Sequence, residues 1–350
     1  MKRRLSKEIQ IGNVKIGGNN PISVQSMCNT DTRDVNSTLN QIKEMADLGC
    51  DIVRLAVLNS NAGESLKDIV KKSPLPIVAD IHFDYRLAIQ SINSGVSALR
   101  LNPGNIGKRE NVEKVIKLAK QQKIPIRIGV NAGSLEKNLT ESDIPLSEKM
   151  VLSALGHIKI LEECDFDLIK VSLKSSDVMT TIEAYRSIAD KIPYALHLGV
   201  TEAGTLRQGL VKSSIGIGTL LSEGIGDTIR VSLTENPTEE VTAGFDILKG
   251  LGLRRHGVNF ISCPTCGRTQ IDLINLAKKV EEKFKNLDKP ITIATMGCAV
   301  NGPGEARYAD FGIAGGIKEG YIFRKGEIIA RVPEDKLLDE LEQIITKSIK

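Results

Sequence analysis

The chain has 350 residues, of which 41% are hydrophobic and 26% charged, as is typical of soluble globular proteins. No apolar run reaches the ~18 residues that a membrane-spanning helix needs, so we expect no membrane insertion. With 47 basic and 43 acidic residues, a net charge of +4 and 3% aromatic residues, the composition argues against nucleic-acid binding and favours a small-molecule partner.

The N-terminal stretch MKRRLSKEIQIG is basic but has no apolar segment behind it, so it does not resemble a secretory signal. We therefore expect a cytoplasmic protein whose six cysteines are reduced. In that compartment a Cys-x-x-Cys pair is more typical of a metal or redox site than of a structural disulfide.

Short β-rich runs alternate with segments of helical periodicity through the first part of the chain. The eight runs cover residues 21–27, 52–57, 76–81, 98–102, 125–131, 168–174, 194–200 and 228–233. Eight β then α units in this order predict a TIM barrel. A doubly wound open sheet is the competing architecture, but the Gly-x-Gly-x-x-Gly turn expected after its first strand is absent.

The alternation breaks at GLGLRRHGVNF, a Gly- and Arg-rich stretch typical of a linker. We therefore predict a TIM barrel over residues 1–250 and a smaller α/β domain over 251–350, since a single core stops growing at about 250–300 residues. In the smaller domain we expect a helix in IDLINLAKKVEEKFKNL, a strand in ITIATMG and a helix in PEDKLLDELEQIITKSI.

Polar residues concentrate at the carboxyl ends of the predicted strands, where barrel enzymes build their active sites. The candidate site residues are Arg54, Asp80, His82, Arg100, Arg127, Asn131, Lys174, Glu202, Arg230 and Ser232. Within most strands such residues are two or four positions apart, so they share a face. A buried cluster of cations repels itself unless an anion lies within it, and the guanidinium fork suits phosphate oxygens. The pattern predicts a phosphorylated substrate, with a diphosphate favoured.

Three of these residues stand apart as candidate acids, bases or hydroxyl-binding groups in a cationic site: Asp80, His82 and Glu202. His82 could instead be a core histidine. Glu202 follows a predicted strand in HLGVTEAG, and nearby cations would hold it ionised while burial would oppose ionisation.

The smaller domain carries three cysteines in two turns. Cys263 and Cys266 form the Cys-x-x-Cys of ISCPTCGR, and Cys298 lies in MGCAVNGPGEA. Such thiolates suit zinc or an iron–sulfur cluster. Zinc would need a fourth Cys or His, for which His256 is the nearest histidine. The glycine- and proline-rich turn after Cys298 could instead bring Glu305 to the metal, as a weaker ligand that a substrate oxygen can replace.

These motifs together resemble the 4-hydroxy-3-methylbut-2-enyl diphosphate synthase family of the non-mevalonate isoprenoid pathway, in its two-domain bacterial form. The resemblance runs through nearly the whole chain. It is carried by VQSMCNTDT, IVRLAV, ADIHF, LRLNPGNIG, IRIGVNAGSL, VSLKSSD, HLGVTEAG, GIGDTIRVSL, GFDILKGLGLR, NFISCPTCGR and GCAVNGPGEA. One departure is Cys28, where many members have Thr, and we expect it to add oxidant sensitivity at the pocket.

The resemblance implies one [4Fe-4S] cluster per subunit, held by Cys263, Cys266, Cys298 and Glu305. It also implies that the strand-end residues named above contact the substrate, with Glu202 as the active-site acid. The reaction implied is reductive ring opening of 2-C-methyl-D-erythritol 2,4-cyclodiphosphate to a linear allylic diphosphate and water. Flavodoxin or ferredoxin would supply the two electrons, and each barrel of a homodimer would be capped by the partner's cluster domain.

Two alternatives stay open. One keeps the barrel but makes the protein a phosphosugar aldolase or a pterin-synthase-like transferase, with Lys170 or Lys174 as nucleophile and a structural metal. The other makes the C-terminal domain a zinc-binding interaction module.

Overall fold

The computed structural model describes residues 2–299 and 306–349. The chain divides into two units, Met1–Arg254 and Arg255–Lys350. Among the described residues, no helix combines the length and apolar character needed to cross a lipid bilayer.

Eight parallel strands of the first unit form a closed barrel. They are Ser23–Met27 (β3), Ile52–Ala56 (β4), Ile77–Asp80 (β5), Ala98–Arg100 (β6), Ile126–Asn131 (β7), Ile169–Lys174 (β8), Ala195–Leu198 (β9) and Thr228–Ile229 (β10). Around the barrel the order is β10, β3, β4, β5, β6, β7, β8 and β9. Each predicted run contains one of these strands, so the predicted TIM barrel is confirmed.

Helices follow the strands and cover the barrel. They are Val35–Asp47 (α1), Ser60–Lys72 (α2), Tyr85–Asn93 (α3), Arg109–Gln121 (α4), Lys137–Thr140 (α5), Leu146–Glu162 (α6), Val178–Ala189 (α7), Leu206–Ser222 (α8) and Pro237–Gly250 (α9). Asp34, Asn59 and Asp177 each accept a backbone N–H at a helix start, which satisfies a donor that the helix leaves unpaired. Alternate strand residues point away from the barrel interior, pack against these helices and form the main core.

An N-terminal hairpin that the sequence pattern did not reveal lies against the amino ends of the barrel strands. Its antiparallel strands are Ile9–Ile11 (β1) and Val14–Ile16 (β2). One apolar cluster joins the hairpin to the barrel strands: Ile9, Ile11, Ile16, Ile52, Val78, Ala98 and Ala195. This apolar plug closes the amino end of the barrel, so the polar interior opens only toward the carboxyl ends.

The second unit is a five-stranded mixed sheet with helices against it. Its strands are Asn259–Ser262 (β11), Thr292–Met296 (β12), Phe311–Gly315 (β13), Glu319–Arg324 (β14) and Glu327–Pro333 (β15), and its helices are Leu273–Phe284 (α10) and Leu337–Ile349 (α11). Strands β11 to β13 are parallel, and β13 to β15 are antiparallel. Both predicted helices and the strand in ITIATMG are confirmed. Strands β11, β13, β14 and β15 were not predicted, and glycines interrupt the alternation of β13 and β14.

The last barrel strand is shorter than the sequence predicted. Strand β10 ends at Ile229, so Arg230 and Ser232 lie in the segment that follows it. Arg230 N–H still donates to the Leu198 carbonyl at 3.0 Å, but beyond this point Leu233 N–H donates to the side chain of Glu240 at 3.0 Å. A carboxylate of α9 therefore holds the segment where strand pairing stops.

Candidate active site

A row of charged side chains crosses four adjacent barrel strands. Asp80 on β5 is the Cα partner of Arg100 on β6, which is the partner of Arg127 on β7. Arg127 is in turn the partner of Lys170 on β8. All four are buried. Since they alternate with residues that pack against the helices, they face the barrel interior. Strand pairing therefore brings together charged and titratable side chains that lie far apart in the sequence.

Asp80 is the anion that several cations of the site share. Its Oδ1 lies 3.2 Å from Arg100 Nη1, and its Oδ2 lies 3.6 Å from Arg54 Nε. His82 Nε2 lies 3.5 Å from Oδ2. Burial alone would raise the pKa of Asp80, but Arg54, His82 and Arg100 lower it below its usual range. Asp80 is therefore ionised and holds the cations in place.

Glu240 on α9 anchors the opposite side of the site, and the sequence analysis did not find it. It is 4% exposed, its Oε1 lies 3.3 Å from Arg230 Nη2, and its Oε2 accepts from Ser26 Oγ at 2.8 Å. A signal was present, because the apolar face of α9 through Gly244 and Leu248 includes position 240 at helical spacing. A lone carboxylate on such a face indicates a buried cationic partner.

Lys174 and His197 form a second buried pair inside the barrel. Lys174 Nζ lies 3.4 Å from His197 Nε2, and His197 Nδ1 lies 2.6 Å from Thr228 Oγ1. His197 is fully buried, and burial and Lys174 lower its pKa well below the usual value. Burial, Arg127 and Arg230 likewise lower the pKa of Lys174. A neutral His197 therefore orients Lys174 by hydrogen bonding.

Positive charge exceeds negative charge in this interior. The arginines Arg54, Arg100, Arg127 and Arg230 outnumber the carboxylates that pair with them, Asp80 and Glu240, and the buried amines of Lys170 and Lys174 lie among them. Burial and neighbouring arginines lower the pKa of Arg127 well below its usual value, and its Nε and Nη1 have no hydrogen-bond partner within residues 2–299 and 306–349. An anion with several oxygens would supply both the charge and the missing acceptors.

The remaining predicted residues lie around this cluster at the carboxyl ends of the strands. Asn131 ends β7 beside its Cα partner Lys174, Ser232 is half-buried after β10, and the His82 side chain is 49% exposed. Glu202 is exposed after β9 with a φ of 51°, in the left-handed region that is unfavourable for a residue with a Cβ. Such backbone strain is typical of functional sites.

Cys28 does not have the reactivity expected from the sequence. It is 6% exposed, and burial raises the pKa of its thiol to about 12. Because the thiolate is the species that oxidants attack, a thiol with this pKa is inert near neutral pH. The low exposure of Cys28 and the raised pKa of its thiol therefore argue against the oxidant sensitivity expected there.

Parallel strand pairing brings two of the predicted metal ligands to one edge of the second sheet. Ser262 of β11 is the Cα partner of Thr295 of β12. Cys263 follows the first strand and Cys298 follows the second, and Gly297 N–H donates to Cys263 Sγ at 3.1 Å. An N–H donor to sulfur stabilises the thiolate form that binds metal.

Cys266 is exposed in the turn after β11. The Arg268 backbone N–H and guanidinium both lower the pKa of its thiol, which also favours the thiolate. Glu305 lies outside the described residues. In the described ranges, no three His, Cys, Asp or Glu side chains are already arranged around a metal position. The donor chemistry of the turns fits a thiolate-ligated cluster.

Comparison with known proteins identifies the family. The model of the GcpE TIM-barrel domain matches residues 6–245, and that of the GcpE protein C-terminal domain matches residues 259–347. The chain belongs to the 4-hydroxy-3-methylbut-2-en-1-yl diphosphate synthase family. The Clostridium perfringens relative named 4-hydroxy-3-methylbut-2-en-1-yl diphosphate synthase (flavodoxin) is 60% identical over 346 residues, covering 99% of each chain. A Geobacter sulfurreducens relative of the same name is 56% identical, covering 98% of each chain.

Solved structures with low sequence identity share the barrel alone. A dihydropteroate synthase from Xanthomonas albilineans has a TM-score of 0.50 and 10% identity, covering 71% of this chain and 97% of its own. Plasmodium falciparum HPPK-DHPS has a TM-score of 0.51 and 14% identity, covering 70% and 50%. These likenesses concern the fold, and family membership does not favour the pterin-synthase-like alternative.

Proposed function

We propose that the protein converts 2-C-methyl-D-erythritol 2,4-cyclodiphosphate into 4-hydroxy-3-methylbut-2-enyl diphosphate. Two electrons and two protons enter, the bond between C2 and its phosphate oxygen breaks, and the C3 oxygen leaves as water. The observation that carries the proposal is the excess of buried cations in the barrel, which matches the diphosphate product in the relatives' name.

The residues divide into anchors and a proton donor. Arg54, Arg100 and Arg127, whose Nε and Nη1 have no partner among the described residues, face the diphosphate. The diphosphate stays attached to the substrate's carbon skeleton through C4 after the ring opens. Lys174 and Arg230 add two further cations, and the carboxylates paired with the arginines keep them from rotating away. We propose that His82, Asn131 and Ser232 contact the edge of the bound substrate. Asp80 contacts it from the interior, where it pairs with Arg54 and Arg100.

Glu202 is the candidate proton donor for loss of the C3 oxygen. Its loop follows β9 at the carboxyl end of the barrel, and its exposed carboxylate can exchange protons with water. The left-handed backbone at Glu202 sets the direction of its Cα–Cβ bond. A defined direction suits a side chain that must reach the C3 oxygen of the substrate.

The family consists of iron–sulfur enzymes, and we propose one [4Fe-4S] cluster per subunit held by Cys263, Cys266, Cys298 and Glu305. When bound, such a cluster would relay electrons to the substrate and act as a Lewis acid. The turn residues Gly297 and Arg268 support the thiolate ligands. Flavodoxin, named in the relatives' titles, is the proposed electron donor, with ferredoxin as the alternative.

We also propose a homodimer in which each barrel is capped by the partner's cluster domain. Support comes from exposed apolar side chains on the neighbouring helices α6, α7 and α8: Leu152, Met179, Val211 and Ile215. Mixing an Arg54→Ala, Arg100→Ala subunit with a Glu305→Ala subunit should restore activity in heterodimers. Light scattering that finds a monomer would reject the arrangement.

The test of the reaction is anaerobic turnover of the cyclic diphosphate by reconstituted protein with a strong one-electron reductant. Phosphorus NMR should show the two cyclic resonances replaced by those of a linear diphosphate. If a sample with confirmed iron and sulfide gives no conversion, the substrate assignment is wrong.

A further inference from the structure

Lys170 is a buried amine that the proposed chemistry does not use. It is 2% exposed, and its Nζ has no hydrogen-bond partner in the described part of the chain. On β8 it alternates with Ile169 and Val171, which belong to the helix-facing core, so it points into the barrel. A buried amine without an acceptor is costly when charged.

The surroundings of Lys170 leave one direction from which a compensating charge can come. Its Cα partner on β9 is Ala195, which belongs to the apolar plug at the amino end. Its partner on β7 is Arg127, which faces the proposed diphosphate. An anion therefore approaches Lys170 only from the carboxyl side, past Arg127.

The charged and titratable groups around Lys170 are Lys174 on the same face of β8, Arg127 on β7, Arg54 on β4, His197 on β9 and Asp227 before β10. Of these only Asp227 is negative, and it already lies 3.3 Å from Arg3 Nη2 and accepts from Ser6 Oγ at 2.9 Å. Burial lowers the pKa of Lys170 well below its usual value, and the two arginines act in the same direction. An anion at Arg127 would act in the opposite direction.

We propose that Lys170 is a proton-accepting positioning residue, an uncharged amine in the ligand-free barrel that becomes an ammonium when a diphosphate binds beside Arg127. The proton comes from bulk water through the open carboxyl end, and no bond other than N–H forms. The added charge strengthens the field that holds the anion, so binding and proton uptake are coupled. This inference rests on the proposed diphosphate site.

The experiment combines lysine NMR with calorimetry. In protein labelled with [ε-13C]lysine, the Lys170 resonance is identified by its loss in Lys170→Met, and its shift should move from the amine to the ammonium position on adding cyclic diphosphate. Calorimetry in buffers of different ionisation enthalpy should show proton uptake that falls by up to about one proton per barrel in Lys170→Met. The cyclic diphosphate suits this measurement because each of its phosphorus atoms carries one ester bond, one anhydride bond and a single strongly acidic oxygen, which stays ionised near neutral pH.

Folding of the variant is itself informative. Met removes a buried charge site at similar volume, so ligand-free Lys170→Met should be at least as stable as wild type. In the unfolded chain Lys170 binds a proton that it lacks in the folded chain. The free energy of unfolding should therefore rise with pH below the usual lysine pKa, and this rise should be less steep in Lys170→Met. Lys170→Arg, permanently charged, should lose stability.

The outcomes separate this inference from the proposed reaction. The inference is overturned if the cyclic diphosphate binds and the Lys170 resonance does not move. It is also overturned if that resonance lies at the ammonium position before the ligand is added. Either result leaves the proposed reaction standing. If the cyclic diphosphate does not bind but inorganic pyrophosphate binds and charges Lys170, the substrate assignment falls and the inference stands. If neither anion binds, both are overturned.

Discussion

The two units build their candidate sites in different ways. In the barrel, strand pairing fixes the backbone positions of most basic residues. The buried carboxylates of Asp80 and Glu240 pair with the side chains of Arg100 and Arg230. In the second unit the proposed ligands Cys263, Cys266 and Cys298 lie beyond the ends of β11 and β12, and Cys266 is exposed. Carboxylates therefore hold the barrel cations before an anion arrives, whereas the proposed thiol ligands would need a metal to hold their segments together.

This difference predicts that a substitution in one unit leaves the candidate site of the other unit unchanged. A ligand lost from the turns should remove the cluster without disturbing anion binding in the barrel. A change in the barrel should weaken anion binding without altering iron content. Variants in each unit test that independence.

Cys298→Ser should abolish turnover, by about 10²-fold or more, because a thiolate ligand of the cluster is lost. Iron and acid-labile sulfide should fall with activity, while calorimetry shows unchanged binding of the cyclic diphosphate. Cys164→Ser, at the end of α6 in the barrel, is the matched control and should keep its iron. Full iron content in Cys298→Ser would contradict the proposed ligand set.

Glu240→Gln should weaken cyclic diphosphate binding by about 10- to 100-fold, since Arg230 loses its charged partner and the segment after β10 loosens. Calorimetry gives the affinity, and iron content should stay at the wild-type value. Glu239→Gln is the control, because this neighbour is exposed and its loss should change affinity little. Equal affinities for the two variants would show that Glu240 does not position Arg230.

Gly199→Ala should have a smaller effect on the same site. An added Cβ would lie 2.5 Å from the Arg230 carbonyl oxygen and would meet Lys174 Nζ, so Lys174 must move. We expect a loss of about 1–3 kcal/mol in unfolding free energy, with weaker anion binding. Gly156→Ala, in α6 with open space around it, should instead gain about 0.5–1 kcal/mol. Denaturant titration of both variants checks the signs.

The sequence alone predicted the barrel and much of the site because these depend on local patterns. Alternating β and α segments specify eight strands, and an even spacing of four residues places Lys170 and Lys174 on one face of β8. The Cys-x-x-Cys pair and the turn after Cys298 likewise indicated thiolate ligands before any strand pairing was known. Each of these signals lies within a few residues of chain.

The contacts between residues distant in sequence depend on tertiary packing. Asp80 as the shared partner of two arginines, Glu240 against Arg230, and the hairpin plug beneath Lys170 all depend on strand register and helix docking. Such contacts join residues far apart in the chain, and no local periodicity encodes them. The sequence determined which chemical groups face the interior, and packing determined which of them are paired and which, like Lys170 Nζ and Arg127 Nε, have no hydrogen-bond partner in residues 2–299 and 306–349.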